Sequence, residues 1–417
     1  MDFVLSELCD QVMTARAGHK PLWVSGGGTK NFFGNYRAPR PEDGHCVLEM
    51  GTYTGIVDYH PSELVVTVRA GTLVSTLETA LAAENQMLAF EPPIFGAGST
   101  IGGCVASGLA GPRRVAAGGV RDFVLGTRLL DAQGRLLSFG GEVMKNVAGY
   151  DVSRVLAGSM GILGAIAEVS LKVVPRPIEE CTLWFDLSCE QALARFATWR
   201  QRPLPISASA WLADPAGQAA STGVVASNGD TDFMGRTGAT GAMGPRGATG
   251  SSGARIATDF VGSASWRGNT AVRLSGSPPA LASAIAEMGG EREQGEGAAA
   301  VWSQLRHQQM PIFAAGQPVW RVIVPPASAV CLEDAALIEW GGAQRWLSGA
   351  RDIAALRDTV RKAGGSATLY RTADGAVDVA GGAFHPPDPG VMAITRRLKQ
   401  EFDPWGLFNA GRLYPDL

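Results

Sequence analysis

A chain of 417 residues is longer than one ordinary hydrophobic core supports, so two or three domains are expected. A formal net charge of −3 without a basic stripe argues against nucleic acid, and no stretch approaches the ~20 apolar residues that cross a bilayer. Six cysteines without a C-x-x-C pair and five isolated histidines offer neither a cluster nor a metal site.

The N-terminal MDFVLSELCDQVMTARAGHK lacks a signal peptide's basic region and apolar core, so a cytoplasmic location is expected, with peripheral attachment at the inner face of the membrane only through a partner. Val4, Leu5, Leu8, Val12 and Met13 fall near helical spacing. Up to about residue 175, short β-like runs at 64–68, 127–130 and 165–173 alternate with glycine turns. Between them LVSTLETALAAENQM has an amphipathic helical pattern, with Leu73, Val74, Leu77, Ala80 and Leu81 on one face. Pro175 and Pro177 mark a boundary. Beyond it CTLWFDL, EQALARFATWRQR and ISASAWL read as strand, helix, strand, and TAVRLSG, PALASAIAEMGG, VWRVIVP, DIAALRDTVRKAGG and SATLYR continue the alternation. The pattern predicts an α+β domain over 1–175, a second domain with one helix-covered sheet over 176–375, and a tail over 376–417 containing the helix VMAITRRLKQEF. From residue 235 to 253 glycine recurs at every third position, the collagen period, yet with a single proline. A flexible, disordered insertion near 221–262 is expected there rather than a trimerising module.

Three glycine-rich stretches carry the chemical interest. SGGGTKNFFG (25–34) follows the apolar run Pro21-Leu22-Trp23-Val24, and glycines there let backbone N–H groups converge on an anion. EPPIFGAGSTIGGCVASGLAG (91–111) contains Gly96-x-Gly98-x-x-x-Gly102, one residue too long for a nicotinamide fingerprint, but offers Ser99, Thr100 and Ser107 hydroxyls. The third, over 142–169, holds Lys145-Asn146, Gly149-Tyr150-Asp151 and then Gly158-Ser159-x-Gly161-x-x-Gly164. Three such loops separated by strands point to one extended ligand site.

In their order, SGGGTK, LEMGTYTGIVDYHPSELVVTVRAGTLVSTLETAL, GAGSTIGGCVASGLAG, AAGGVRDFVLGTRLLDAQGRLLSFGG and KNVAGYDVSRVLAGSMGILGAIAEVSLKVVP resemble the FAD-binding domain of the vanillyl-alcohol oxidase (PCMH) type flavoproteins. VRDFVLG, KNVAGYDVSRVLAGSMG and the ending FDPWGLFNAGRL resemble, within that superfamily, the FAD-binding subunits of bacterial glycolate oxidase. The resemblance implies a two-subdomain FAD-binding domain, an α+β cap domain whose antiparallel sheet is covered by helices, and a tail that packs back on the FAD domain. It places the first pyrophosphate loop on Ser25, Gly26, Gly27, Gly28, Thr29 and Lys30, and the second on Gly98, Ser99, Thr100, Gly102 and Gly103, with Ser107 and Gly108 beyond. The segment closing around the adenosine and ring falls on Gly158, Ser159, Gly161, Gly164 and Ile166. Lys30 either neutralises phosphate or is a solvated surface lysine.

Relatives that tether FAD covalently use a His or Cys in the first loop; residues 25–34 have neither, so non-covalent FAD is expected. Beyond position 60 only His307 and His385 remain, so no metal site is expected and catalytic residues stay unassigned. Arg321, Arg371 and Tyr370 are candidate anion contacts but read as strand-edge surface residues. The resemblance therefore implies a subunit that passes electrons within a multisubunit glycolate oxidase. Its partners would be a larger FAD-containing subunit and an iron–sulfur subunit, with a small 2-hydroxy acid as substrate of the complex. A self-sufficient FAD-linked hydroxy-acid oxidase and a non-catalytic assembly subunit with weak FAD binding are the alternatives.

Overall fold

The computed structural model describes residues 3–39, 42, 44–141, 151–213, 266–314, 316–372, 379 and 381–417. The collagen-period segment and Lys145 to Tyr150 lie outside the described residues. In chain order the first half contains α1 (Phe3–Ala17), β1 (Leu22–Ser25), β2 (Cys46–Glu49), β3 (Ile56–His60), β4 (Val65–Arg69), α2 (Val74–Ala83), β5 (Gln86–Met87), α3 (Ile101–Ser107), α4 (Arg114–Ala117), α5 (Val120–Phe123), β6 (Val124–Leu130), β7 (Leu136–Gly140), α6 (Val152–Leu156), β8 (Ala165–Lys172) and β9 (Val174–Pro175). The second half continues with β10 (Glu179–Phe185), α7 (Cys189–Arg200), β11 (Ile206–Leu212), β12 (Thr270–Gly276), α8 (Pro278–Met288), β13 (Glu291–Glu293), α9 (Glu296–His307), β14 (Val319–Ile323), β15 (Leu337–Glu339), β16 (Gln344–Ser348), α10 (Ile353–Lys362), β17 (Ser366–Arg371) and α11 (Pro389–Phe402).

In the first half, β1 and β2 pair in parallel, and an antiparallel five-stranded sheet has the order β3-β4-β8-β6-β7. Central β8 is buried along nearly its whole length because both of its faces are covered. Ile166 joins the core under α2 and α3, while Ala165 and Ala167 pack with Leu5, Leu8 and Val12 of α1, the two-residue alternation of a strand. Two sequence expectations shift: Met13 of α1 and Leu73 before α2 are exposed, and the glycine-rich stretch after Phe95 contains a helix, α3. Small residues at 102, 103 and 106 allow that helix to lie against Ala70: a Cβ on Gly102 would sit 2.7 Å from the Ala70 Cβ.

The second half forms one antiparallel eight-stranded sheet, β13-β10-β12-β11-β15-β16-β14-β17, with α7, α8 and α10 on one face. Its other face meets the first half. There Phe33, Phe95, Leu109 and Met160 pack with Trp302, Trp346 and Tyr370 in a shared aromatic-rich cluster. A buried ionic node crosses the same boundary: Glu91 accepts from the Arg113 backbone N–H at 2.9 Å and from Arg273 Nη2 at 3.1 Å, and Arg113 Nη2 reaches Glu180 at 2.6 Å. The C-terminal tail returns to the first half, where Leu22 N–H donates to Leu407 O at 2.7 Å and Asn409 N–H to Leu22 O at 3.0 Å. Lys399, buried, holds this turn by donating to Ile162 O, Asp403 Oδ2 and Phe408 O at 2.7, 2.6 and 2.9 Å.

Candidate functional site

The 25–34 loop leaves the end of β1 and runs back against the 96–100 segment. Gly27 and Gly98 meet so closely that a Cβ on Gly27 would lie 1.6 Å from Gly98 O, which no side chain tolerates. Gly28 follows at φ +66°, a left-handed conformation that costs an L-residue about 1–2 kcal/mol. The Thr29 and Ser99 hydroxyls lie 3.0 Å apart, and Ser99 Oγ also accepts from Phe95 N–H at 3.3 Å. Thr100 caps α3, accepting from Gly103 N–H at 3.3 Å. The tail locks the other side: Asn409 Oδ1 accepts from Val24 N–H at 2.8 Å while its Nδ2 donates to Met160 O at 2.7 Å.

These segments line a common open cleft. Ser25, Gly26, Gly28, Thr29, Lys30, Thr100, Gly102, Gly103, Ser107, Gly161, Gly164 and Ile166, all singled out in the sequence, line it. The other six do not reach its lining. Gly27, Gly98 and Ser99 support the wall as described. Gly108 and Gly158 back onto each other, a Cβ on Gly108 falling 3.1 Å from Gly158 Cα, and Ser159 Oγ accepts from Gly161 N–H at 3.3 Å. Trp23, Met50, Ala70, Ala106, Met160, Asn409 and Arg412 also line the cleft and were missed. Of these, only the polar pair in FNAGRL gave a sequence signal. The others became neighbours through the meeting of distant strands.

The cleft is built for negative charge. Lys30 is 9% exposed, its pKa lowered by burial, and no carboxylate pairs with it among the described residues; its Nζ stands 5.7 Å from the centre of the Phe95 ring. The solvated alternative for Lys30 is thereby ruled out. Arg412 is held between Trp23 and Tyr36, 5.5 and 5.0 Å from the ring centres, and donates from Nη2 to Lys30 O at 3.2 Å. Its Nη1 is buried without a hydrogen-bond partner among the described residues, and burial lowers its pKa to about 10. Burying a cation costs several kcal/mol, and stacking on aromatics returns only about 1–2 kcal/mol, so both groups favour an anion in the cleft. No carboxylate, cysteine or histidine lines it among the described residues.

Of three residues read as strand-edge surface groups, Tyr370 proves to be fully buried and Arg321 and Arg371 half-buried. Arg321 lies on β14, between β16 and β17, with its guanidinium 5.6 Å from the Phe33 ring centre and 5.7 Å from that of Tyr370. Arg371 stacks on Phe32 at 4.4 Å, and Tyr370 is wholly buried, its hydroxyl accepting from Gln308 Nε2 at 2.7 Å. The correction has a simple cause: the first-half loop 25–34 covers this end of the second sheet, which no local pattern reveals. Both remaining histidines act structurally, His307 Nδ1 accepting from Ile94 N–H at 3.1 Å and His385 Nδ1 from Ala367 N–H at 3.3 Å.

The architecture and the cleft define a class. Residues 5–140 match the family described as FAD binding domain, and the fold is that of alkyldihydroxyacetonephosphate synthase, with a TM-score of 0.61 at 14% identity over 96% of this chain and 73% of that one. The protein is thus an α+β protein with a PCMH-type FAD-binding domain and an antiparallel-sheet cap. In sequence it is similar to glycolate oxidase subunit GlcE of Escherichia coli (strain K12), 37% identical over 411 residues, 98% of this chain and 97% of that one. It also resembles glycolate oxidase subunit GlcD of Bacillus subtilis (strain 168), 34% identical over 175 residues, 42% of this chain and 36% of that one. The chain belongs to the GlcE family of glycolate oxidase subunits.

Proposed function

We propose that this chain is the FAD-binding subunit of a multisubunit glycolate oxidase and holds FAD non-covalently in the glycine-lined cleft. The observation that carries the reading is the pair of buried, counter-ion-free cations, Lys30 and Arg412, facing loops stripped of side chains. In this reading Ser25, Gly26, Gly28, Thr29 and Lys30 receive one side of the pyrophosphate and Thr100, Gly102, Gly103 and Ser107 the other. Gly161, Gly164 and Ile166 lie along the rest of the cofactor. Gly27, Gly98, Ser99, Gly108, Gly158 and Ser159 keep the loops at the spacing this requires. Residues 1–175 then form the FAD-binding domain, 176–375 the cap and 376–417 the returning tail.

Held by these residues, FAD would supply a hydride acceptor and onward electron transfer. The chain's own task is to fix the cofactor, stabilise its phosphates and exclude water. Non-covalent binding is supported by the lining. The nearby Cys104 lies on the core-facing side of α3, and burial raises its thiol to about 11, far from a reactive thiolate. The complex would oxidise glycolate and related 2-hydroxy acids to 2-oxo acids. A larger homologous flavoprotein subunit would carry the main oxidation, and an iron–sulfur subunit would pass electrons on, at the inner face of the membrane. No helix among the described residues is long and apolar enough to cross a membrane.

The test is the visible spectrum of the purified chain before and after acid denaturation. Flavin bands that move to the supernatant on denaturation are expected. Flavin that stays with the precipitate would overturn the non-covalent reading, and a colourless protein that takes up no added FAD would overturn the cofactor assignment.

A further inference from the structure

A second open groove shares no residue with the cofactor cleft. It lies where the two halves meet: Pro112, Val115 and Ala116 of the first half line it together with Phe196, Trp199 and Trp340 of the second. Its walls are tied to each other. The Arg113 backbone, just before α4, is anchored on Glu91, and Trp340 Nε1 donates to Gly111 O at 3.1 Å. Phe196 and Trp199, three residues apart on α7, pack on the second-half core with one face and reach the groove as well. Val115 is 58% exposed, an apolar side chain left in water. No carboxylate lines the groove among the described residues, whereas Arg200 and Arg202 do. Arg114 lies over the Trp340 ring at 4.6 Å and Arg195 over that of Trp199 at 5.8 Å. Of these four arginines only Arg202 forms an ion pair among the described residues, with Glu287 at 3.1 Å, while Arg200 donates to Gly341 O at 3.1 Å.

Tryptophan and arginine around an apolar floor are the side chains that dominate binding energy where one protein docks on another. The charge balance selects the occupant. A positive rim without acids of its own is complementary to carboxylates, and the floor between α4 and α7 takes an apolar side chain. We propose that this groove docks an acidic segment of another glycolate oxidase subunit, which lays an apolar side chain against Val115 and Trp199 and sets its carboxylates against Arg114 and Arg200. Because the two walls belong to different halves, the occupant also ties the first half to the second. The inference deepens the function proposed above and rests on its multisubunit reading for the identity of the partner.

The experiment measures the affinity of the full-length chain for the larger flavoprotein and iron–sulfur subunits of the same enzyme, at low and high salt. Val115→Glu sets a like charge in the path of the acidic segment and is expected to weaken assembly at least about tenfold, whereas Val115→Lys, equally polar, weakens it less. Arg200→Glu should weaken assembly as well and reduce its salt dependence. Lys362→Glu, a charge reversal on α10 outside the groove, should leave it unchanged. Hydrogen exchange on the wild type needs no variant to fold, and should slow at residues 112–117 and 196–200 on assembly. Assembly unchanged in Val115→Glu and Arg200→Glu, equal losses in Val115→Glu and Val115→Lys, an equal loss in Lys362→Glu, or no slowing at those residues each overturns the docking site and leaves the subunit reading standing. Binding to phosphatidylglycerol vesicles that Val115→Glu abolishes, with assembly intact, gives the groove to a lipid surface and overturns the proposal too. A wild type that assembles with neither subunit overturns the subunit reading and the site together.

Discussion

Glu339 is a carboxylate in an interior that disfavours its charge. It accepts hydrogen bonds from Trp346 Nε1 at 2.7 Å and Gln344 Nε2 at 3.0 Å, yet burial raises its pKa from 4.5 to about 7. The folded state therefore binds more protons than the unfolded chain between those values, so this contribution to stability is complete below pH 4.5 and lost as pH rises through about 7. His307 acts in the opposite sense. Burial lowers its pKa from 6.5 to about 4, so its contribution is present above 6.5 and lost as pH falls through about 4. Glu339→Gln isolates the first effect: its unfolding midpoint should exceed the wild type's at pH 8, with the difference shrinking toward pH 5. Thermal unfolding across that range checks this, and parallel curves for the two proteins would refute it.

At the scale of elements, the two glycine loops work as a matched pair. Gly27→Ala inserts a Cβ into the Gly98 carbonyl and must push the loops apart, so FAD should weaken by at least about tenfold, the scale of one lost charged hydrogen bond. Gly28→Ala meets only Asn31 Nδ2 at 3.5 Å and costs about 1–2 kcal/mol of backbone strain, so it should keep its flavin. Flavin retention on gel filtration separates the two. If both variants behave alike, close approach of the loops is not what the glycines provide.

Across the whole molecule, the two sheets are joined by the Glu91 node as well as by aromatic packing. Glu91 itself holds φ +47°, a strained conformation for a residue with a side chain, which the node over-determines. Glu91→Ala leaves the buried Arg113 and Arg273 with only the more exposed Glu180 as counter-charge and should cost about 3 kcal/mol. Lys362→Ala breaks an exposed pair with Asp358 and should leave the unfolding midpoint nearly unchanged. Urea denaturation with both variants tests the contrast, and a Glu91→Ala midpoint equal to that of Lys362→Ala would show that the node does not hold the sheets together.

The sequence alone determined the elements whose apolar period is long and clean. The strands of ISASAWL, TAVRLSG and SATLYR fall at the expected residues, and so do the helices in EQALARFATWRQR and VMAITRRLKQEF, because local hydrophobic spacing dictates each of them. Glycine loops were legible for a related reason: only residues without side chains let two backbones meet as Gly27 and Gly98 do. What the tertiary structure decided was partnership between distant residues. It buried Lys30, carried Arg412 across to Trp23 at the cleft, and turned Arg321, Arg371 and Tyr370 from apparent edge residues into the wall of an interior cluster. Burial and pairing of a charge depend on what the rest of the chain brings to its side, and a local pattern holds no record of that.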